Sequence, residues 1–208
     1  MIKAYSIFFL WLILGVNLSY AEDSVAQLMQ RMKTDTAVKI AYQETRTLEL
    51  MDQPWQGSGY MYSIPPDLMI REQLQPQHLL MAVDGDKMFY FDPENDVRHQ
   101  AEMDQDNPLS LNMAVFKALI NADEALLNTI YLVEFTSKPQ RWLMNLKPRQ
   151  DSESGFNITV SGVVDQQADS IKIQQADGDL SEFVLQKVVA GDELETTVKQ
   201  LYQTLVGE

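Results

Sequence analysis

Between Trp55 and Pro93 the chain reads as four short runs of aromatic and apolar residues, 59–64, 68–74, 79–83 and 87–91, each ended by residues that a β-ladder tolerates poorly. Pro65-Pro66-Asp67 puts two residues without an N–H in succession, so no ladder continues through it. Gln75-Pro76-Gln77 ends the second run. Asp84-Gly85 is a tight hairpin signal, because glycine takes up the positive φ that such turns need. Strands joined by turns this short pair with their chain neighbours, and the stretch is an antiparallel meander.

A sheet with one wet face alternates apolar and polar residues. Here Leu79-Leu80-Met81-Ala82-Val83 and Met88-Phe89-Tyr90-Phe91 are apolar at both parities, so both faces must be kept from water. A helix can cover one face. The other needs a further layer or an enclosed apolar cavity, and we read it as the cavity.

The chain has 208 residues, enough for one domain and a targeting segment. Lys3 precedes an apolar run, 5–16, that is too short to span a bilayer, and Ser19-Tyr20-Ala21 places small residues at the spacing of a signal cleavage site. Residues 1–21 are therefore expected to be a secretory signal cleaved after Ala21, with a single domain over 22–208 and the periplasm as its compartment. There is no cysteine, which excludes thiol catalysis, cysteine-ligated zinc and a lipid-bearing lipobox. With 30 acidic against 16 basic residues, the surface repels phosphates, so nucleic acid and anionic headgroups are not expected partners. The 11 methionines suit either core gap-filling or a surface that accepts ligands of variable shape.

On either side of the meander the pattern continues. Val25, Leu28, Met29 and Met32 recur at helical spacing, with Asp23 or Ser24 as the cap. Residues 37–51 read as a long first strand on which Ile40, Tyr42, Leu48 and Leu50 share a parity with Glu44 and Arg46; that pair either meets at an open end of the sheet or marks where it twists into solvent. Residues 97–103 return as a strand. Residues 108–120 form a helix begun by Pro108, with Leu109, Met113, Phe116 and Ile120 on one face. It covers the sheet as a fixed plug or as a lid, and a short helical tail follows at 122–128. Strands are expected at 129–135, 141–147, 156–164, 170–175 and 180–187, more one-sided than the central ones, and a closing amphipathic helix at 192–206. The fold class that results is α+β: a single curved antiparallel sheet of about 10–11 strands forming an incomplete barrel, with helices on its concave face. On this reading the cavity is lined by Tyr60, Tyr62, Met69, Met81 and Phe89 from the meander, Leu109, Met113, Phe116 and Ile120 from the helix, and Trp142.

Catalytic constellations are scarce. His78 and His99 lack an H-E-x-x-H or C-x-x-C partner, Gly57-Ser58-Gly59 lacks the strand-turn-helix setting of a nucleophile elbow, and neither a phosphate loop nor a dinucleotide fingerprint is present. The acids at 104–106 lack the glycine and bidentate glutamate of a calcium loop. No enzyme, cofactor or metal is expected. A hydrolase using His99 and Asp96 is the weaker alternative, and binding of an apolar ligand the stronger.

The order Gly59-Tyr60-Met61-Tyr62, Pro66-Asp67-Leu68, Gln75-Pro76, Asp84-Gly85 and Phe91-Asp92-Pro93, with Trp142-Leu143-Met144-Asn145-Leu146-Lys147-Pro148 further on, resembles the LolA family of periplasmic carriers of outer-membrane lipoproteins. The resemblance implies an unclosed barrel whose helices cover a cavity for acyl chains. It also implies a monomer, an acylated lipoprotein or other lipid as cargo, an inner-membrane releasing complex as donor and an outer-membrane acceptor. Related half-barrels also serve as sensors of lipid or envelope stress, which is the alternative role. The family has an arginine before the motif proline that latches the helical lid; here Pro65 stands there and cannot donate, so the latch falls to Arg71 or Arg46 or is missing. The family's aromatic cavity positions fall near Met69 and Arg71, which marks a divergent member.

Overall fold

In the computed structural model, which describes residues 24–103, 108–149, 156–164 and 166–207, the chain begins with helix α1 (Val25–Met32) and strand β1 (Val38–Thr47). Ser24 caps α1 in a reciprocal capping box with Gln27. The expected signal at 1–21 and the acidic residues 104–106 lie outside the described residues. The meander follows as β2 (Trp55–Ile64), β3 (Leu68–Gln75), β4 (Leu79–Asp84), β5 (Lys87–Asp92) and β6 (Val97–Glu102). Next come α2 (Pro108–Ile120) and α3 (Glu124–Ile130). Strands β7 (Tyr131–Ser137), β8 (Arg141–Pro148), β9 (Asn157–Val163), β10 (Ala168–Gln174) and β11 (Leu180–Ala190) complete the sheet, and helix α4 (Glu193–Val206) closes the chain.

All eleven strands belong to one antiparallel sheet in the order β6-β5-β4-β3-β2-β1-β11-β10-β9-β8-β7. The first and last strands of the chain, β1 and β11, pair over ten positions from Val38↔Ala190 to Thr47↔Leu180 and join two meanders. Among the described residues β6 and β7 each have one neighbour, so the barrel is open. Side chains from strands near both ends, such as Met81 on β4 and Trp142 on β8, enter a single core with α1, α2 and α3. A sheet this wide reaches one core from both ends only by curling around it, which makes this face concave.

Gly59 is required where β2 meets β3. A Cβ there would lie 1.9 Å from the Glu72 carbonyl oxygen, and the ladder shifts register beside it, between Ser58 and Gly59. Strand β1 ends at Thr47, short of the expected 51, because its last partners are Leu180 and Trp55; Leu50 is 99% exposed. Asp123 caps α3 by accepting the Leu126 N–H at 2.9 Å, which moves the expected helical tail, and the strand after it, toward the C-terminus by two residues.

Not every helix lies on the concave face. Helix α4 packs on β2, β4 and β5 from the convex side, where Val198 and Leu205 join Tyr62, Ile70, Leu80, Ala82 and Phe91 in a second core. The two-sided apolar strands are thus explained by a second helical layer, the alternative to the cavity reading. Among the described residues no helix covers β7 to β10 on the convex face, and burial alternates along these strands, as the one-sided pattern predicts.

Candidate functional site

The strict period of two divides the expected cavity residues between the faces. Met69, Met81, Met113, Phe116, Ile120 and Trp142 belong to the concave core. Tyr60, Tyr62 and Phe89 do not: they point to the convex face and pack under α4, with Phe89 edge-on to Tyr202 at 5.8 Å. There Tyr62 donates to Glu72 Oε2 at 2.7 Å, and burial, followed by the Glu72 contact, pushes its phenol well above the ordinary range. The side chain of Leu109 lies outside the described residues. Trp142 sits under Gly162, whose missing side chain makes room for the indole, and donates its N–H to the Val163 carbonyl at 3.1 Å. It is a packed anchor of the second meander.

Among the described residues a hollow of about 300 Å³ lies where α2 faces the junction of the two meanders. Its apolar wall is Met113 and Phe116 of α2 with Ile173 of β10 and Phe183 of β11; Phe116 and Phe183 meet edge-to-face at 4.8 Å. Its polar lining combines Glu44 and Arg46 of β1 and Arg71 of β3 with Gln175, Asp179 and Ser181. Glu44 and Arg71 are among the few buried charges of the molecule, and they pair: Arg71 Nη2 donates to Glu44 Oε2 and Arg71 Nε to the Tyr42 hydroxyl at 3.2 Å. Arg46 Nε donates to the other oxygen, Glu44 Oε1, at 2.5 Å and lays its guanidinium 4.7 Å from the Trp55 ring centre, with a third of the side chain exposed at the rim. Glu44 and Arg46 therefore meet, as one of the two sequence alternatives had it. Burial raises the Tyr42 phenol above its ordinary range against the opposing pull of Arg71, so Tyr42 stays a neutral acceptor for that guanidinium. Burial pushes the Tyr131 phenol up to about 12.

Arg71 and Arg46 thus bond within the sheet and not to a helix. Beyond its apolar packing and a Ser110–Met88 contact, α2 is held to the sheet by a residue without a role in the sequence pattern. Asn121, at the C-terminal end of α2, donates from Nδ2 to the Pro66 carbonyl at 3.0 Å and accepts the Ser63 hydroxyl at 2.5 Å on Oδ1. Lys117, one turn earlier, lies 3.9 Å from Asp67. All three partners belong to the end of β2 and the Pro65-Pro66 turn, so the turn that lacks the family's arginine still grips the helix. An asparagine ending a helix is ordinary enough to carry no signal by itself. Helix α2 is also no surface flap: Met113, Val115, Phe116, Ala118, Leu119 and Ile120 are all buried, which leaves it apolar nearly all round, as expected of a plug.

A single open sheet wrapped on three helices, with a hollow under the middle one, is the setting in which the comparisons with known proteins fall. The model of the family described as outer membrane lipoprotein carrier protein LolA-like matches residues 19–193. The chain belongs to this LolA-like family. No curated protein matches it. Among solved structures, a LolA superfamily protein from Nitrosomonas europaea is similar at 7% identity over 82% of this chain and 94% of that chain, with a TM-score of 0.43. A DUF1329 family protein from Desulfovibrio piger is similar at 9% identity over 80% and 90%, with a TM-score of 0.47. No helix among the described residues of this LolA-like protein is long and apolar enough to cross a membrane.

Proposed function

We propose that this LolA-like protein is a periplasmic carrier that takes the acyl chains of a lipoprotein, or of a related lipid, into the hollow beneath α2 and passes them from an inner-membrane releasing complex to an outer-membrane acceptor. The observation that supports it is the apolar wall of that hollow, set in a concave core that holds Met29, Met32, Met61, Met69, Met81, Met113 and Met144. Thioether side chains repack around ligands of differing shape. At about 300 Å³ the hollow admits roughly ten groups of water size, at about 30 Å³ each. Ten methylenes leaving water contribute about 8 kcal/mol gross, a micromolar affinity before any cost of opening is subtracted. A carrier that must release its cargo needs binding of this order. Longer or multiple chains enter only as α2 moves off the sheet, which makes the Asn121 contacts the latch of the closed form.

Native mass spectrometry of the protein purified from its host, with a lipid-uptake assay on the delipidated protein, tests this. Bound acyl lipid and its transfer between inner- and outer-membrane vesicles are expected. Finding neither bound lipid nor uptake would overturn the proposal. Uptake without transfer, in a stable complex with a membrane-anchored partner, would favour the sensing role instead.

A further inference from the structure

The polar wall of the hollow is asymmetric in a way that its apolar wall does not require. A guanidinium carries five N–H donors in a planar fork. In Arg71 the edge formed by Nε and Nη2 is occupied by Tyr42 and Glu44, both on β1. The distal edge, Nη1 with the second proton of Nη2, donates to no described residue, although the side chain is only 5% exposed and lines the hollow. A buried donor left without an acceptor is costly, and one that belongs to a charged group more so. Among the described side chains of α2 none relieves it: Met113 and Phe116, which line the hollow, bring no acceptor. Among the other polar lining residues, Asp179 accepts the Glu49 N–H at 2.9 Å, and neither it nor Ser181 nor Gln175 bonds to Arg71. Glu44, Arg71 and Arg46 sum to one positive charge, which Asp179 elsewhere in the lining balances, so what is left over at Arg71 is hydrogen-bonding capacity and not net charge. The free edge of a guanidinium is the geometry that holds a carboxylate or phosphate through two parallel hydrogen bonds.

We propose that the hollow selects acyl compounds by their oxygen end: a carboxylate or ester carbonyl accepts from the distal edge of Arg71, while the adjoining methylenes lie along Met113, Phe116 and Phe183. This rests on the reading that the hollow takes an acyl chain, and adds that the chain enters oxygen end first toward the sheet. Arg71 is then a specificity-determining residue, and Glu44 positions it.

The test is displacement of the fluorescent hydrocarbon diphenylhexatriene from the delipidated protein by three ligands of equal chain length at neutral pH: a medium-chain fatty acid, its methyl ester and the alkane. The acid is expected to bind about tenfold or more tighter than the alkane, as a charge-assisted hydrogen bond gives. An ester that follows the acid points to esterified lipid as the source of the chain, and an ester that follows the alkane to a free fatty acid; either supports the oxygen-end contact. Equal affinity for all three overturns the inference and leaves the acyl-chain reading standing. Failure of all three to displace the probe overturns both. In the double variant Glu44→Gln/Arg71→Gln, which keeps hydrogen-bonding shape without buried charge, the preference for the acid should vanish, whereas Arg141→Gln, on the surface of β8 and outside the lining, should retain it; a preference that survives the double variant overturns the assignment. Should the double variant not fold, the infrared carboxyl band of the carbon-13-labelled acid or ester, whichever binds more tightly than the alkane, decides on the unaltered protein: a band shifted by hydrogen bonding from that of the same compound in an aprotic solvent is expected, and an unshifted band overturns the contact.

Discussion

On strands β2 to β4 both faces of the sheet are dry, yet they are built from different materials. Under α4 the convex core consists of Ile70, Leu80, Ala82, Val198, Leu205 and the rings of Tyr62 and Phe91, with no methionine among its buried members. The concave core holds seven, and it alone contains the Glu44–Arg71 ion pair and the hollow. Branched aliphatic and aromatic side chains have few rotamers and specify one packing, whereas methionine has three rotatable bonds and specifies little. The difference teaches that one face fixes the sheet while the other is free to adapt. Two-sided hydrophobicity by itself reports a second layer; the sign of the ligand side is its soft, partly charged lining.

The most severe way to break this comparison is to remove Glu44. Glu44→Ala leaves the Arg71 guanidinium buried with only the Tyr42 hydroxyl, and breaking one side of a buried pair costs about 3–5 kcal/mol. Urea unfolding of the mature chain measures it. Arg71→Gln added to Glu44→Gln should cost far less, because no charge is then left alone. A loss below about 1 kcal/mol for Glu44→Ala would mean that the pair behaves as a surface contact and that the concave core is not the special one.

Next in size is Leu205→Ala in α4, which empties a site that is 1% exposed and should cost about 2–4 kcal/mol. Val184→Ala, on β11, also faces outward but beyond the reach of α4; at 48% exposure it should stay within about 0.5 kcal/mol. On the concave side Met113→Leu, which conserves volume, should cost less than about 1.5 kcal/mol while narrowing the range of ligands bound. Similar losses for Leu205→Ala and Val184→Ala would show that α4 is not a true second layer.

The limits of the meander, the helices Val25–Met32 and Pro108–Ile120 and the one-sided second half were legible because each depends on local signals: prolines, the Asp84-Gly85 and Asp177-Gly178 turns, and residue parity. The side on which each helix lies was not. Helix α4 shows an apolar stripe of Val198, Leu201, Tyr202 and Leu205, but a stripe does not say which face of a sheet it meets, and Tyr60, Tyr62 and Phe89 were misplaced for that reason. Glu44 stands 27 residues from Arg71 and lies near it only through β2, on which Met61 pairs with both Ile40 and Arg71. Registers of this kind follow from the whole sheet and not from any segment of it. Parity alone did put Glu44 and Arg46 with the core residues Ile40 and Tyr42, which was the one available sign of a polar interior.

A last variant, in the tether of α2, separates a latch from a mere contact. Asn121→Ala removes two hydrogen bonds to the β2–β3 turn and should lower global stability by about 1–2 kcal/mol. The next residue, Ala122, has φ of +52° in the left-handed region that favours glycine, where its N–H and that of Asp123 close the end of α2 onto the Leu119 and Ala118 carbonyls. The tether therefore holds the helix at a point where the backbone is already strained. If Asn121 latches a plug, its loss should act locally: hydrogen exchange should quicken in α2 and α3 and stay unchanged in β3 and β4 beneath α4, and uptake of long-chain ligands should become faster. Exchange that quickens evenly over the whole sheet would show Asn121 to be ordinary cement, and would place the opening of the concave side elsewhere than at the Pro65-Pro66 turn.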